Sequence, residues 1–322
     1  MDTTTRAARD DETGALRHIW KTVFGDGDVS LFFDHYFDPD LCVVADREGV
    51  PAAAGYLLPT GSISFGERAA PCAMVYGVAT LPEHRNLGLG AAVVRSLVTL
   101  GYSAGFPAIA LCPSNDSLFG YYSARTGFRD WFYIHERRFD SAPATVSEAR
   151  LSEVSPHDYG RLRERFLSGI PHLELDIRAL SYQGLLCKEY GGGLFAVETP
   201  GGDSCVVVER QDGGVMWIKE LLAREGFEGC ALSSVASAFP AGQYVVRTPA
   251  ERDNSQFTIH NSQLVERGNS QFTVHNSQFT VNNSQLSVRR FGMVVATGDL
   301  LRAMNSSVAA QKAAPWLGLA FD

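Results

Sequence analysis

The sequence predicts an α/β chain of two domains. Three observations lead there. Short apolar strands alternate with amphipathic helices over the first 140 residues. A strand at 73–80 runs into a glycine-bearing loop that opens a long apolar helix. Beyond residue 150, a similar order of elements returns. A length of 322 residues with 45% hydrophobic content supports two proper cores.

The elements follow from local pattern. Residues 12–24 and 29–36 carry helical apolar spacing. Residues 41–46 and 52–58 are apolar runs around the turn at 47–50 and read as paired strands. Residues 68–80 form a long central strand and 88–101 a helix. The short apolar run 107–112 is of the kind buried in a parallel sheet. A helix at 114–125 ends at Gly127, and 131–139 is a closing strand.

The segment Arg85-Asn-Leu-Gly88-Leu-Gly90 holds the chemistry. A helix begins there with unsatisfied backbone N–H groups and the positive end of its dipole, and glycines leave the approach open. That is a site for phosphate or pyrophosphate. A Walker A loop is excluded because no Gly-Lys-Ser/Thr is present. A dinucleotide fingerprint is excluded too: Val93 stands at the third glycine position, and 109–112 offers no acid.

The loop resembles the R/Q-x-x-G-x-G/A pyrophosphate loop of the GCN5-related N-acetyltransferases (GNAT), including the strand-end V-x-P-x-x-R pattern before it. Asn115-Asp-Ser-Leu-Phe-Gly-Tyr-Tyr122-Ser-Ala-Arg-Thr-Gly127-Phe128 resembles the family's N-x-x-A-x-x-F/L-Y-x-x-x-G-F helix. The Asn-to-Tyr spacing selects Tyr122. The Tyr-to-Gly spacing is one residue longer than the family's, so Tyr121 stays a candidate.

This resemblance implies the GNAT fold, a mixed twisted sheet in which two central parallel strands, here 74–80 and 108–112, splay apart around the pantetheine arm. It implies acetyl-CoA as co-substrate, with its pyrophosphate held by Arg85, Asn86, Leu87, Gly88, Leu89 and Gly90. Val78 and Thr80 would pair with the pantetheine amides, a backbone N–H near Val78 would receive the developing oxyanion, and Asn115 would make a polar contact. The reaction implied is direct attack of a primary amine on the thioester. Tyr122, or Tyr121, would serve as general acid to the leaving thiolate. A non-catalytic acyl-CoA-binding or sensor protein is the competing reading, because the tyrosine register departs from the family's. Asp26, Asp28 and Asp34 fall on the helices that cap the acceptor side in this fold; no general base stands out.

The expected domains are 1–142, which binds acetyl-CoA, and 143–322, a degenerate GNAT-like domain. In the second, a helix at 156–166, strands at 194–198, 204–211 and 214–223, a helix at 230–239 and a strand at 243–247 echo the first half without its pyrophosphate loop. The layout resembles that of Eis-like acetyltransferases, where the terminal carboxylate reaches the active site. The same arrangement here would use Asp322. Within the second domain, residues 254–288 repeat Asn-Ser-Gln-Phe-Thr-Ile/Val-His/Asn with a period of seven, a low-complexity insert of strand-like alternation with no part in catalysis.

A net charge of −8 without a basic stripe argues against nucleic acid as a partner. The amino-terminal residues lack a signal-peptide pattern and no apolar run approaches a membrane span, so a cytoplasmic protein without membrane partners is expected. Six scattered cysteines without a C-x-x-C pair disfavour disulfides and zinc, and His260 and His275 in the repeat make a poor metal site. The partner is a small-molecule or peptide amine. Aminoglycoside, polyamine, amino acid and protein amines all stay open.

Overall fold

The structure, a computed structural model, describes residues 4–140, 149–250, 287–309, 311 and 313–321. The repeat expected at 254–288 lies almost wholly outside them, as does Asp322. In chain order the elements are β1 (Thr4–Ala7), α1 (Thr13–Phe24), α2 (Val29–His35), β2 (Cys42–Arg47), β3 (Val50–Phe65), β4 (Arg68–Thr80), α3 (Leu89–Ser103), β5 (Ala108–Leu111), α4 (Asp116–Thr126) and β6 (Arg129–Asp140). They continue with β7 (Arg150–Glu153), α5 (Pro156–Leu167), β8 (His172–Leu175), α6 (Ile177–Glu189), β9 (Gly193–Thr199), β10 (Gly202–Gln211), β11 (Val215–Leu222), α7 (Glu228–Ala238), β12 (Gln243–Pro249), β13 (Ser287–Ala296) and α8 (Gly298–Ala309).

The chain forms two compact units that do not simply follow one another. One comprises Met1–Trp131, Leu173–Tyr182 and Phe291–Ser306; the other comprises Phe132–His172, Gln183–Arg290 and Ser307–Asp322.

In the first unit the strand order is β1-β2-β3-β4-β5-β13, with β8 paired to β3. All neighbours on that path are antiparallel except β4 and β5. Helix α3 lies on β2, β3 and β4. Its apolar face (Leu89, Val93, Val94, Leu97) is buried against Val43, Ala45, Ala53, Leu57 and Val75. Gly55 allows that close approach: a Cβ there would lie 2.8 Å from Val93 and 3.0 Å from Leu97. The opposite face of β3 and β4 is covered by aromatic rings, with Trp20 of α1 stacked on Phe32 of α2 at 4.8 Å and both against Tyr56.

The second unit orders its strands β6-β12-β11-β10-β9-β7, with only β11 and β12 parallel. Val197, Val206, Ile218, Val246 and Val235 of α7 build its core. Here β11 and β12 pair over Val215–Ile218 against Gln243–Val246. The β10 register then shifts between Val207 and Val208, opposite Lys219. In the first unit, β4 and β5 likewise pair over four residues, and the ladder to β3 shifts just beyond. All six cysteines are free thiols, four of them buried. Among the described residues, no helix is long and apolar enough to cross a membrane, and no three His, Cys, Asp or Glu residues are placed to hold a metal.

Candidate active site

Strand β4 pairs with β5 only from Cys72↔Ala108 to Val75↔Leu111. Beyond Leu111, β5 ends while β4 runs on to Thr80, so from Tyr76 onward β4 has no β5 partner along that edge. At the point of parting β4 carries a bulge. Tyr76 faces Tyr56 and Ala79 faces Ala54, so Gly77 and Val78 together oppose the single residue Gly55. A bulge inserts one extra residue that the ladder leaves unpaired, and it turns the local backbone. Gly77 adopts φ +56° there. A Cβ on it would sit 2.5 Å from the Trp20 ring. Gly77→Ala is therefore expected to destabilise the protein by about 2–4 kcal/mol through positive φ and overpacking together, read as a loss in the denaturant midpoint. An unchanged midpoint would mean the bulge relaxes freely.

The loop after β4 makes a 3-10 turn at Pro82–His84 and enters α3 through Gly88. Gly88 is the N-cap, at φ +78°, and no side chain caps the helix. Its first N–H groups therefore have no side-chain cap, the kind of helix end that can take an anion. Asn86 is also left-handed, at φ +63°. Arg85, Asn86, Leu87 and Gly88 are exposed; Leu89 is buried and roots the helix in the core. The Arg85 Nε donates to the Thr80 carbonyl at 3.4 Å, holding the guanidinium at the strand end. Gly90 completes the cradle. The place its Cβ would take lies 3.6 Å from the Tyr121 hydroxyl, 3.7 Å from Thr80 Oγ1 and 4.0 Å from Val78 Cγ1. Five of the expected binding positions (Val78, Thr80, Arg85, Gly88 and Gly90) thus gather about the mouth of α3 with Tyr121, and the space that a side chain at 90 would fill is kept clear.

The remaining candidates separate. Asn115 is the N-cap of α4; its Oδ1 accepts from the Ser117 amide at 3.1 Å and from Ser117 Oγ at 2.6 Å, which accounts for it as a cap. Of the two tyrosines on α4, Tyr121 is 37% exposed, whereas Tyr122 is 8% exposed in the core beside Phe119 and Phe128. Burial first, and the neighbouring Tyr121 second, push the Tyr122 phenol up to about 12. It is protonated throughout the neutral range. Cys112, at the end of the wedge strand, points its thiol at the Phe291 carbonyl at 3.1 Å. The bulge at Gly77 was not picked out from the sequence. A glycine inside an apolar strand was its one signal.

Among its described residues, the second unit shows no matching cradle. The N-cap of α7 is Phe227, and Glu228 occupies its first turn, 3.1 Å from Arg137. At the register shift Lys219 is buried and paired to Glu209 at 3.0 Å.

Comparison with known proteins agrees with this geometry. Residues 4–128 match the family model described as an acetyltransferase (GNAT) domain. Among solved structures the chain is similar to a probable N-acyltransferase from Enterococcus faecalis, with 10% identity over 92% of this chain and 72% of the other and a TM-score of 0.63. It is similar to a GCN5-related N-acetyltransferase from Anabaena variabilis, with 14% identity over 91% of this chain and 72% of the other and a TM-score of 0.61. Eis1 from Mycobacterium abscessus aligns with 14% identity over 76% of this chain and 65% of its own, with a TM-score of 0.53. At such identities the likeness is one of fold. No curated protein matches the sequence.

Proposed function

Because residues 4–128 form a GNAT acetyltransferase domain, we propose that the chain transfers an acetyl group from acetyl-CoA to a primary amine. The observation that carries this reading is the uncapped mouth of α3 behind Gly88, set where β4 leaves β5. The residues fit the co-substrate: the loop supplies N–H donors and Arg85 for a diphosphate, and Gly90 keeps its path along Thr80 and Val78 open. Bound acetyl-CoA supplies an activated thioester carbonyl. The chain does the rest. The backbone N–H at the Val78 bulge would donate to the carbonyl oxygen as charge develops on it. Thr80 and Tyr121 line the passage from the loop. Tyr122, the phenol that the family spacing selects, would give its proton to the departing sulfur as the C–N bond forms and the C–S bond breaks; the amine's own proton would go to solvent. The second unit, with Glu228 at the start of α7, takes no cofactor and serves as a degenerate copy.

Thiol release from acetyl-CoA over a panel of amines tests this. Tyr122→Phe is expected to lower kcat about 100-fold or more with the KM for acetyl-CoA unchanged, the range of a lost general acid. Tyr121→Phe is expected to raise the KM for acetyl-CoA and leave kcat near wild type. The reverse pattern would exchange the two roles. Acetyl-CoA binding without turnover of any amine would instead mark a non-catalytic acyl-CoA-binding protein.

A further inference from the structure

The second unit keeps a polar cluster in its core that acyl transfer does not use. Ile218 faces Val208 and Glu220 faces Val207, so Lys219 is the residue that the ladder to β10 skips. Lys219 is 1% exposed, and its Nζ donates to Glu209 Oε2 at 3.0 Å. From α6, the fully buried Cys187 donates its Sγ–H to the same Glu209 oxygen at 3.6 Å. Gln183, one turn earlier on α6, donates its Nε2 to Cys187 Sγ at 3.2 Å. The amine and the thiol thus meet at a single carboxylate oxygen.

Stability alone is a poor account of this cluster. A buried Lys–Glu pair adds little over apolar residues of similar volume. Among the described residues, Gln183 Oε1 is buried with no hydrogen-bond partner, which costs more. A structural thiol in apolar surroundings is inert. Cys187 instead has a carboxylate to take its proton and a lysine on the same oxygen. Burial pushes the thiol up to about 12, so it gives up its proton only as a new bond to sulfur forms.

We propose that Cys187 and Lys219 are an oxidative modification site, joined through one oxygen atom as an S–O–N crosslink. Hydrogen peroxide is the oxidant. A first molecule gives an oxygen to sulfur: the S–O bond forms, the O–O bond breaks, and the thiol proton passes through Glu209 to the departing hydroxide. The products are a sulfenic acid and water. The Lys219 ammonium gives one proton to Glu209, and a second peroxide oxidises the resulting amine to a hydroxylamine and water. The hydroxylamine oxygen then attacks the sulfenic sulfur and expels water. Sulfur and nitrogen each lose two electrons, and the two peroxides become the bridging oxygen and three waters. The flexible stem of Lys219 lets its nitrogen swing from the carboxylate to the sulfur. The bridge ties α6 to β11.

The full chain treated with hydrogen peroxide, digested and mapped by mass spectrometry tests this. Expected is a pair of peptides linked through Cys187 and Lys219, heavier than their sum by about 14 Da for one oxygen gained and two hydrogens lost. Dithiothreitol should separate them. The oxidised protein should melt a few degrees above the reduced one, since the bridge closes a loop in the unfolded chain. Cys187→Ala and Lys219→Gln should each abolish the link. Glu209→Gln should lower its yield at least about 10-fold at equal peroxide, as loss of a base does. The wild-type map decides by itself if a variant fails to fold. Three results overturn the proposal. One is Cys187 recovered as sulfinic or sulfonic acid with Lys219 unlinked. Another is both residues recovered unmodified at a peroxide dose that oxidises the partly exposed Cys112 and Cys230. The third is an equal yield of link from chain oxidised in guanidinium, where the fold no longer brings the two together.

Discussion

A Gly88→Glu variant is expected to bind acetyl-CoA about 100-fold more weakly, a loss of about 2.8 kcal/mol, while its melting temperature moves by only a few degrees. The two halves of that expectation have separate causes. Gly88 holds φ +78° at the N-cap of α3, and a Cβ on it would meet nothing within 4 Å. A side chain therefore costs only the left-handed backbone strain, about 1–2 kcal/mol. A carboxylate at a helix N-terminus returns part of that through the dipole. Binding has no such compensation. In the proposed site the new charge would stand beside the diphosphate, and two like charges about 4 Å apart repel by about 4 kcal/mol at the effective dielectric of a protein surface. Gly88→Ala separates the terms: it carries the strain without the charge and is expected to lose about 10-fold or less. Calorimetric titration with acetyl-CoA and a thermal melt of each variant decide it. Equal affinity in Gly88→Glu and wild type would remove the loop from the cofactor site.

The site's legibility in the sequence follows from where its constraint is local. The glycines at 88 and 90 encode a backbone conformation and a clear space, both properties of a few consecutive residues, so they read directly. Strand β4 read out at its full extent, Arg68–Thr80, because its apolar run is bounded by turn residues. Strand β3 was read short, to 58. Pro59 and Gly61 look like breakers, yet the strand passes through them to Phe65 because the register to β4 shifts just there, and proline is tolerated at such a bulge. Strand β1 was missed because only four residues, mostly polar, make it. Arg6 on it is held by Glu12 and, 40 residues away, by Asp46. Helix α6 was missed as well, its apolar residues mixed with Gly184 and polar groups. The choice between Tyr121 and Tyr122 was illegible in principle. Adjacent helical residues point about 100° apart, and which of them meets the core depends on strands far off in the sequence.

The largest effect on stability is expected from Glu220, whose constraint is entirely tertiary. Its carboxylate is fully buried in the second unit. One oxygen accepts from the Tyr159 hydroxyl at 2.8 Å and Arg163 Nε at 3.0 Å; the other accepts from Trp316 Nε1 at 2.7 Å. Arg163, itself fully buried, also donates to the Leu317 carbonyl at 3.3 Å. The carboxylate thus ties α5 to the buried apolar segment that contains Trp316, Leu317 and Leu319. Gly318 in that segment turns at φ +73°, and any Cβ would overlap the same carboxylate. In Glu220→Ala, Arg163 loses its fully buried carboxylate partner while keeping contacts to the partly exposed Glu164 at 3.2 Å and the Leu317 carbonyl at 3.3 Å. A buried cation stripped of its main partner costs about 3–5 kcal/mol, which for a unit of this size lowers the melting temperature by about 6–20 °C. Tyr159→Phe removes one donor and leaves the ion pair, so about 1 kcal/mol is expected. Calorimetric melts of the two variants, with limited proteolysis of the C-terminal segment, read the difference. If Glu220→Ala costs no more than Tyr159→Phe, the charge is dispensable, and apolar burial of Trp316, Leu317 and Leu319 is enough to hold the segment.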